Sequence, residues 1–166
     1  MAKVLERTLY REDYYAWSQA QAATLRRLAR DRPDLPLDLE LVAEEVESLG
    51  RTDLAMVRSQ VRRIIEHLLK LEYSPAAEPR SGWQDSIIEA RDVIEDVVTP
   101  TLRREVEAGL ARTYQQGRRK AARALRRHGE RAAAQSLPET CPYTLDQLLD
   151  ETWRPTNRHG HVDEPF

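Results

Sequence analysis

Apolar side chains recur along this chain at the 3.6-residue period of an amphipathic α-helix. Glycine is scarce, and no stretch shows the alternation of branched and aromatic residues that a half-buried strand needs. The first such helix is predicted from Asp13 to Arg30, before the proline-rich segment DRPDLPLD. The sequence therefore predicts an all-α fold, a bundle of about five helices that are mostly antiparallel, plus a short C-terminal helix.

Capping residues and glycines set the next boundaries. A second helix is predicted from Asp38, a suitable N-cap, to Leu49, and a third from Asp53 to Tyr73. Gly50 lies between them, where a C-terminal glycine would be. Because an interior glycine costs only about 1 kcal/mol relative to alanine, Gly50 either ends the second helix or merely bends one long helix.

Three later helix starts follow from their cap residues. Ser81 and Gln84 have the spacing of a capping box and open a fourth helix. Thr99 and Pro100 suit an N-cap and a first helical position, so a fifth, long helix is predicted from Pro100 to about Ala134. A second capping-box spacing, Thr144 to Gln147, precedes the short segment LDQLLDE.

Length and composition favour one compact domain. The chain has 166 residues, of which 40% are hydrophobic and 33% charged, so residues 1–153 are predicted as a single helical-bundle domain. Residues 154–166, RPTNRHGHVDEPF, lack an apolar period and are predicted to be a mobile C-terminal tail. The net charge of −2 is nearly balanced, so an electrostatic partner must recognise a local patch.

The compartment is predicted from what the sequence lacks. No apolar run approaches the ~20 residues that span a bilayer, and the N-terminal segment has no signal-peptide core. The single cysteine, Cys141, cannot form an internal disulfide and is expected to be packed or idle rather than reactive. We therefore expect a cytoplasmic protein without a membrane partner.

Several phrases in a fixed order carry a family resemblance: LYREDYYAWSQAQAATLR, AEEVESLGR, IIEHLLKLEYSP, GWQDSIIEAR and ETCPYTLDQLLDE. Together, from about Leu9 to Trp153, they resemble the bacterial domain-of-unknown-function family 29. The resemblance implies an all-helical bacterial protein. It implies no activity, because none is assigned to that family.

The acidic cluster Glu44, Glu45 and Glu47 is the first candidate site, because carboxylates on one helix can hold magnesium or manganese. All-α nucleotide phosphohydrolases of the MazG type use such motifs, but their pattern places a glutamate where this chain has Ser48. A solvated acidic face is the favoured alternative. On the predicted helix Glu45 borders the apolar stripe and should form a buried hydrogen bond or ion pair, whereas Glu44 and Glu47 face the other side. That stripe consists of Leu39, Val42, Val46 and Leu49.

His67 could extend this candidate site if Gly50 turns the chain, because Glu44 or Glu47 would then approach the third helix. One carboxylate with one histidine is an incomplete zinc ligand set. A boundary histidine that is hydrogen-bonded to a neighbouring carboxylate is therefore favoured over a metal ligand. His159 and His161 could chelate a metal weakly, although a His-x-His near a terminus is usually incidental.

A basic stretch over residues 112–131 is the second candidate site, for an anion or nucleic acid. The predicted contacts are Arg118, Arg119, Arg123 and Arg126. The cationic residues spread around the predicted helix, however, and Tyr114 is the only aromatic residue available for base stacking. These arginines could equally pair with the acidic face, within the chain or across a subunit interface.

Three functions remain open from sequence alone. The favoured one is a non-enzymatic protein that acts through protein contacts, including homo-oligomerisation, and needs no cofactor. The alternatives are a divalent-metal phosphohydrolase using Glu44, Glu45 and Glu47, with or without His67, and a nucleic-acid binder using the basic helix.

Overall fold

The computed structural model describes residues 8–163, which are mainly helical and contain no strand. Seven helices have defined bounds: α1 Tyr14–Asp31, α2 Leu39–Tyr73, α3 Arg80–Glu95, α4 Pro100–Ala108, α5 Leu110–Arg127, α6 Arg131–Ser136 and α7 Leu145–Leu149. Residues 8–12 add a helical turn before α1. None of the described helices is long and apolar enough to cross a membrane. The predicted all-α fold is confirmed.

The chain divides into two compact units. Unit 1 extends to Met56 and also contains Val97–Val106, so it holds α1, the first half of α2 and most of α4. Unit 2 contains Val57–Asp96 and the chain from Glu107 onwards. The single domain predicted over residues 1–153 stays a prediction.

In unit 1, α1 approaches α2 closely at Gly50. The chain continues as helix through Gly50, so the second and third predicted helices are one helix of 35 residues. A Cβ atom at position 50 would overlap the Oγ of Ser18, whose side chain is fully buried. Gly50 is therefore needed for the approach of α1, and it does not end α2.

In unit 2, the second half of α2 supplies a fully buried apolar face: Val57, Val61, Ile64, Ile65 and Leu68. Helix α5 contacts this face at Gly117, where an added Cβ would lie 2.8 Å from Cγ2 of Ile65 and 3.0 Å from the carbonyl oxygen of Arg62. Tyr114, one turn earlier, is fully buried and donates a 2.6 Å hydrogen bond to the carbonyl of Pro138. Gly117 therefore permits the close approach of α5 to α2.

The fifth helix predicted from Pro100 to Ala134 is wrong as one element, because two glycines interrupt it. Gly109 is the N-cap of α5 and separates it from α4. After α5 ends, Gly129 has a φ of +83°, a left-handed conformation that glycine adopts at no steric cost. Helix α6 then begins at Arg131.

One of the two predicted capping boxes forms. Helix α3 begins at Arg80, and its N-cap, Pro79, makes no side-chain capping bond, so the expected box at Ser81 and Gln84 is wrong. At α7, Thr144 and Gln147 form both reciprocal bonds of a capping box, which confirms that prediction. Spacing alone did not distinguish the two cases, because the chain enters helix at Arg80 before Ser81 can act as a cap.

Residues 154–163 make polar contacts within unit 2, and the mobile tail predicted over residues 154–166 stays a prediction. Asn157 is buried and its Nδ2 donates to the carbonyls of Leu71, Glu72 and Ser74 at the C-terminal end of α2. Asp163 accepts two hydrogen bonds, of 2.6 and 2.7 Å, from the guanidinium of Arg80. These contacts are polar, so an apolar period could not reveal them. Residues 164–166 lie outside the described part of the chain.

Candidate functional site

Glu47 forms ion pairs with two arginines within unit 1. Its Oε2 lies 2.6 Å from Nη2 of Arg26 on α1 and 3.1 Å from Nη1 of Arg51, one turn along α2. The hydrogen bond from Arg26 lowers the pKa of the Glu47 carboxyl, which is therefore held ionised. The position predicted to carry a metal is thus the centre of an ion-pair cluster.

Glu44 and Glu45 are both exposed. The expected burial of Glu45 beside the apolar stripe is wrong, because the face that α2 buries passes through Ala43 and Gly50, whereas Leu49 is 50% exposed. Helix α1 covers this face at Gly50, a contact that one amphipathic helix viewed alone does not show. Glu47 is consequently the half-buried member of the cluster.

A shallow hollow of about 380 Å³ lies beside this cluster in unit 1. Its lining mixes acids, arginines and one leucine: Arg26, Asp38, Glu40, Leu41, Glu44, Glu47 and Arg51. Across residues 8–163, no three or more His, Cys, Asp or Glu side chains are grouped so that they could hold a metal ion. The magnesium or manganese site stays a prediction, and the arrangement of these residues does not support it.

His67 lies in unit 2 and does not join the acidic cluster through a turn, since α2 is continuous at Gly50. Burial lowers the pKa of its imidazole to about 4. The positive charges of Lys70, Arg63 and Lys120 also lower this pKa, whereas the negative charge of Glu66 raises it. Its Nδ1 is buried with no hydrogen-bond partner among the described residues. The expected hydrogen bond to a carboxylate is therefore not found at this nitrogen, and His67 is held neutral.

Helix α5 separates into a buried face and a cationic face. The buried positions are Thr113, Tyr114, Gly117, Ala121, Ala122 and Leu125. The exposed cationic residues are Arg112, Arg119, Lys120, Arg123, Arg126 and Arg127, called the cationic face below. At 100° per residue these six occupy an arc of roughly 120°, so most of the charges expected to spread around the helix share one face, and Arg118 lies outside it. The sequence feature that indicates the buried side is the set of small residues Gly117, Ala121 and Ala122.

No ion pair joins the cationic face to any described acid. The salt bridges within the described residues involve arginines and lysines elsewhere in the chain. Of the predicted anion contacts, Arg119, Arg123 and Arg126 lie on this face. Arg118 does not: it is half-buried, and its Nη2 donates to the carbonyl of Leu137 after α6.

A second charged surface, which the sequence reasoning did not identify as a contact surface, lies on α3. Its exposed acids, called the acidic stripe below, are Asp85, Glu89, Asp92 and Glu95, together with Asp96, the C-cap residue of α3. Ile88 and Val93 flank them and are 38% and 39% exposed. Glu89 pairs with Arg63 at 2.8 Å, whereas no ion pair joins the other four acids to described residues. The sequence feature that indicates this surface is the i, i+3, i+4 spacing of its acids, which places them on one side of a helix.

Cys141 lies in the loop before α7 and is half-buried. Burial raises the pKa of its thiol, and its Sγ lies 3.3 Å from the carbonyl oxygen of Tyr143. A thiol with a raised pKa carries little thiolate near neutral pH and is a poor nucleophile. The environment of Cys141 agrees with the expected packed cysteine.

These features describe an all-α protein with two charged helix surfaces, the cationic face of α5 and the acidic stripe of α3. The chain belongs to DUF29, a domain of unknown function, whose family model matches residues 9–154. It is similar to an alpha-helical protein of unknown function from Rhodospirillum rubrum, with 33% sequence identity over 86% of this chain and 89% of that chain, and a TM-score of 0.75. No curated protein matches the chain.

Proposed function

We propose that this protein is a binding protein that recognises an acidic protein surface through the cationic face of α5. The observation that carries the proposal is that six arginine and lysine side chains share one exposed face without an ion pair to a described acid. Clustered cations of this kind attract an anionic partner and accelerate its association. Arginine is also enriched in the contact residues of protein interfaces.

Two observations favour a protein partner over nucleic acid. Proteins that bind single strands combine cations with exposed aromatic side chains for base stacking, but Tyr114 of α5 is fully buried. The net charge of −2 likewise supplies no long-range attraction for a nucleic acid.

A binding titration tests this proposal with a fluorescent polyglutamate peptide as the acidic probe. We expect binding that weakens with salt and that is lost in the Arg119→Glu/Arg123→Glu variant. The matched control is Arg27→Glu/Arg30→Glu, which changes the net charge equally on exposed positions of α1 and should keep the binding. A single-stranded DNA of equal charge tests the alternative. Binding to DNA but not to polyglutamate, or equal loss in both variants, would overturn the proposal.

A further inference from the structure

We infer that the acidic partner of the cationic face is the acidic stripe of a second copy of this chain. The inference rests on the function proposed above, because the cationic face is the contact surface in both. Each copy then presents both halves of one interface on unit 2, one half on α5 and the other on α3. Two copies related by a two-fold axis would make the contact twice.

The spacing of the two surfaces matches. Arg112, Arg119 and Arg123 are seven and four residues apart and form the central row of the cationic face. Asp85, Asp92 and Asp96 are also seven and four residues apart and form the central row of the acidic stripe. Each row spans roughly 16 Å of helix. If the two helices lie side by side in parallel, the three arginines oppose the three aspartates in order.

The charges of the two surfaces are also complementary and available. Within the described residues, neither row is neutralised by an ion pair of its own chain. The chain as a whole is close to neutral, with 26 basic and 28 acidic residues, so two copies experience little net repulsion. Complementary faces on a nearly neutral chain therefore favour association with a second copy over other anions.

Apolar area accompanies the acidic stripe. Ile88 and Val93 lie on either side of the central row, and more than a third of each side chain is exposed. Burial of these residues under the long arginine side chains of the partner copy would add a hydrophobic contribution, since the methylene stems of arginine cover apolar surface. The contact would then combine charge pairing with partial exclusion of water.

Charge reversal tests the inference in the full-length chain by light scattering after size exclusion at micromolar concentration. We expect wild type to be dimeric at low salt, and Arg119→Glu/Arg123→Glu and Asp92→Lys/Asp96→Lys each to be monomeric. An equimolar mixture of the two variants should form a dimer again, because every contact then joins opposite charges. The Arg27→Glu/Arg30→Glu control should remain dimeric, and circular dichroism checks that every variant is helical.

Four outcomes separate the two proposals. A monomeric wild type that binds polyglutamate overturns this inference and leaves the proposed function standing. A monomeric wild type that binds neither polyglutamate nor its own copies overturns both. A dimer that survives both reversals overturns the assignment of the interface to α3 and α5. Failure of the mixture to dimerise, when each reversal alone abolishes the dimer, overturns the pairing of these two surfaces.

Discussion

Asp13 and Thr99 are 86 residues apart, and the hydroxyl of Thr99 donates a 2.9 Å hydrogen bond to the carboxylate of Asp13. The same carboxylate accepts from the backbone N–H of Ala16 at 2.9 Å and from that of Thr101 at 3.1 Å. It therefore caps the first turns of α1 and α4 together. One side chain therefore fixes the starts of two helices in unit 1. The local sequence indicates only its role as the N-cap of α1.

Asp13→Ala should lower the free energy of unfolding by roughly 2 to 4 kcal/mol, because it removes an N-cap and leaves two further donors without their acceptor. Asp13→Asn should cost less, since its single oxygen can still cap α1. Urea unfolding measures both changes. An Asp13→Ala variant as stable as the wild type would contradict this role.

The pH dependence of the same contact has a definite sign. Burial acts to raise the pKa of Asp13, but the hydrogen bonds from Ala16, Thr101 and Thr99 outweigh it and lower the pKa below its ordinary value of 3.8. The contact should therefore stabilise the fold above pH 3.8 and weaken as the pH falls below that value. Comparison of acid unfolding in wild type and Asp13→Asn isolates this contribution, which should be absent from the variant.

Gly117→Ala should destabilise the protein by about 1 to 3 kcal/mol, although alanine favours helix by about 1 kcal/mol. The added Cβ would lie 3.0 Å from the backbone carbonyl oxygen of Arg62, which cannot rotate away as a side chain can. Gly82→Ala on α3 is the matched control, because nothing lies within 4 Å of its added Cβ. Thermal unfolding should show a lower Tm for Gly117→Ala and an equal or higher Tm for Gly82→Ala.

His67 should make stability depend on pH between about 4 and 6.5. Its pKa is lowered to about 4 from an ordinary value of 6.5, so the unfolded chain binds more protons in this interval. The stabilisation is complete above pH 6.5 and is lost as the pH falls toward 4, by the order of 1 to 3 kcal/mol. Urea unfolding at several pH values should show a flatter profile for His67→Gln than for the wild type.

Asn157→Ala should destabilise the C-terminal end of α2 by about 2 kcal/mol, because the carbonyls of Leu71, Glu72 and Ser74 lose a buried donor. Amide hydrogen exchange of residues 70–74 should accelerate in this variant. Val162→Ala is a suitable control in the same segment, since Val162 is 96% exposed. Equal effects in the two variants would show that Asn157 has no special anchoring role.

Much of the fold could be predicted from apolar periodicity and cap chemistry. The bounds of α1, the terminal capping box at Thr144 and the start of α4 after Thr99 depend on residues adjacent in sequence, so local patterns were sufficient. The continuity of α2 through Gly50 and the interruptions at Gly109 and Gly129 were not settled by local patterns. A glycine can serve close packing, a break or a turn, and its neighbours in space decide which.

The candidate sites could likewise be predicted only in part from the sequence. The sequence by itself determined the helical class, the density of cations over residues 112–131 and the acids of α3. Only the tertiary structure decided which side of each helix is covered. Contact with α1 turned Glu47 toward Arg26 and left Glu45 exposed, and packing at Gly117 placed the arginines of α5 on one surface. The physical reason is that a helix has many faces of similar polarity, and the neighbours that bury one of them determine which charges remain in water.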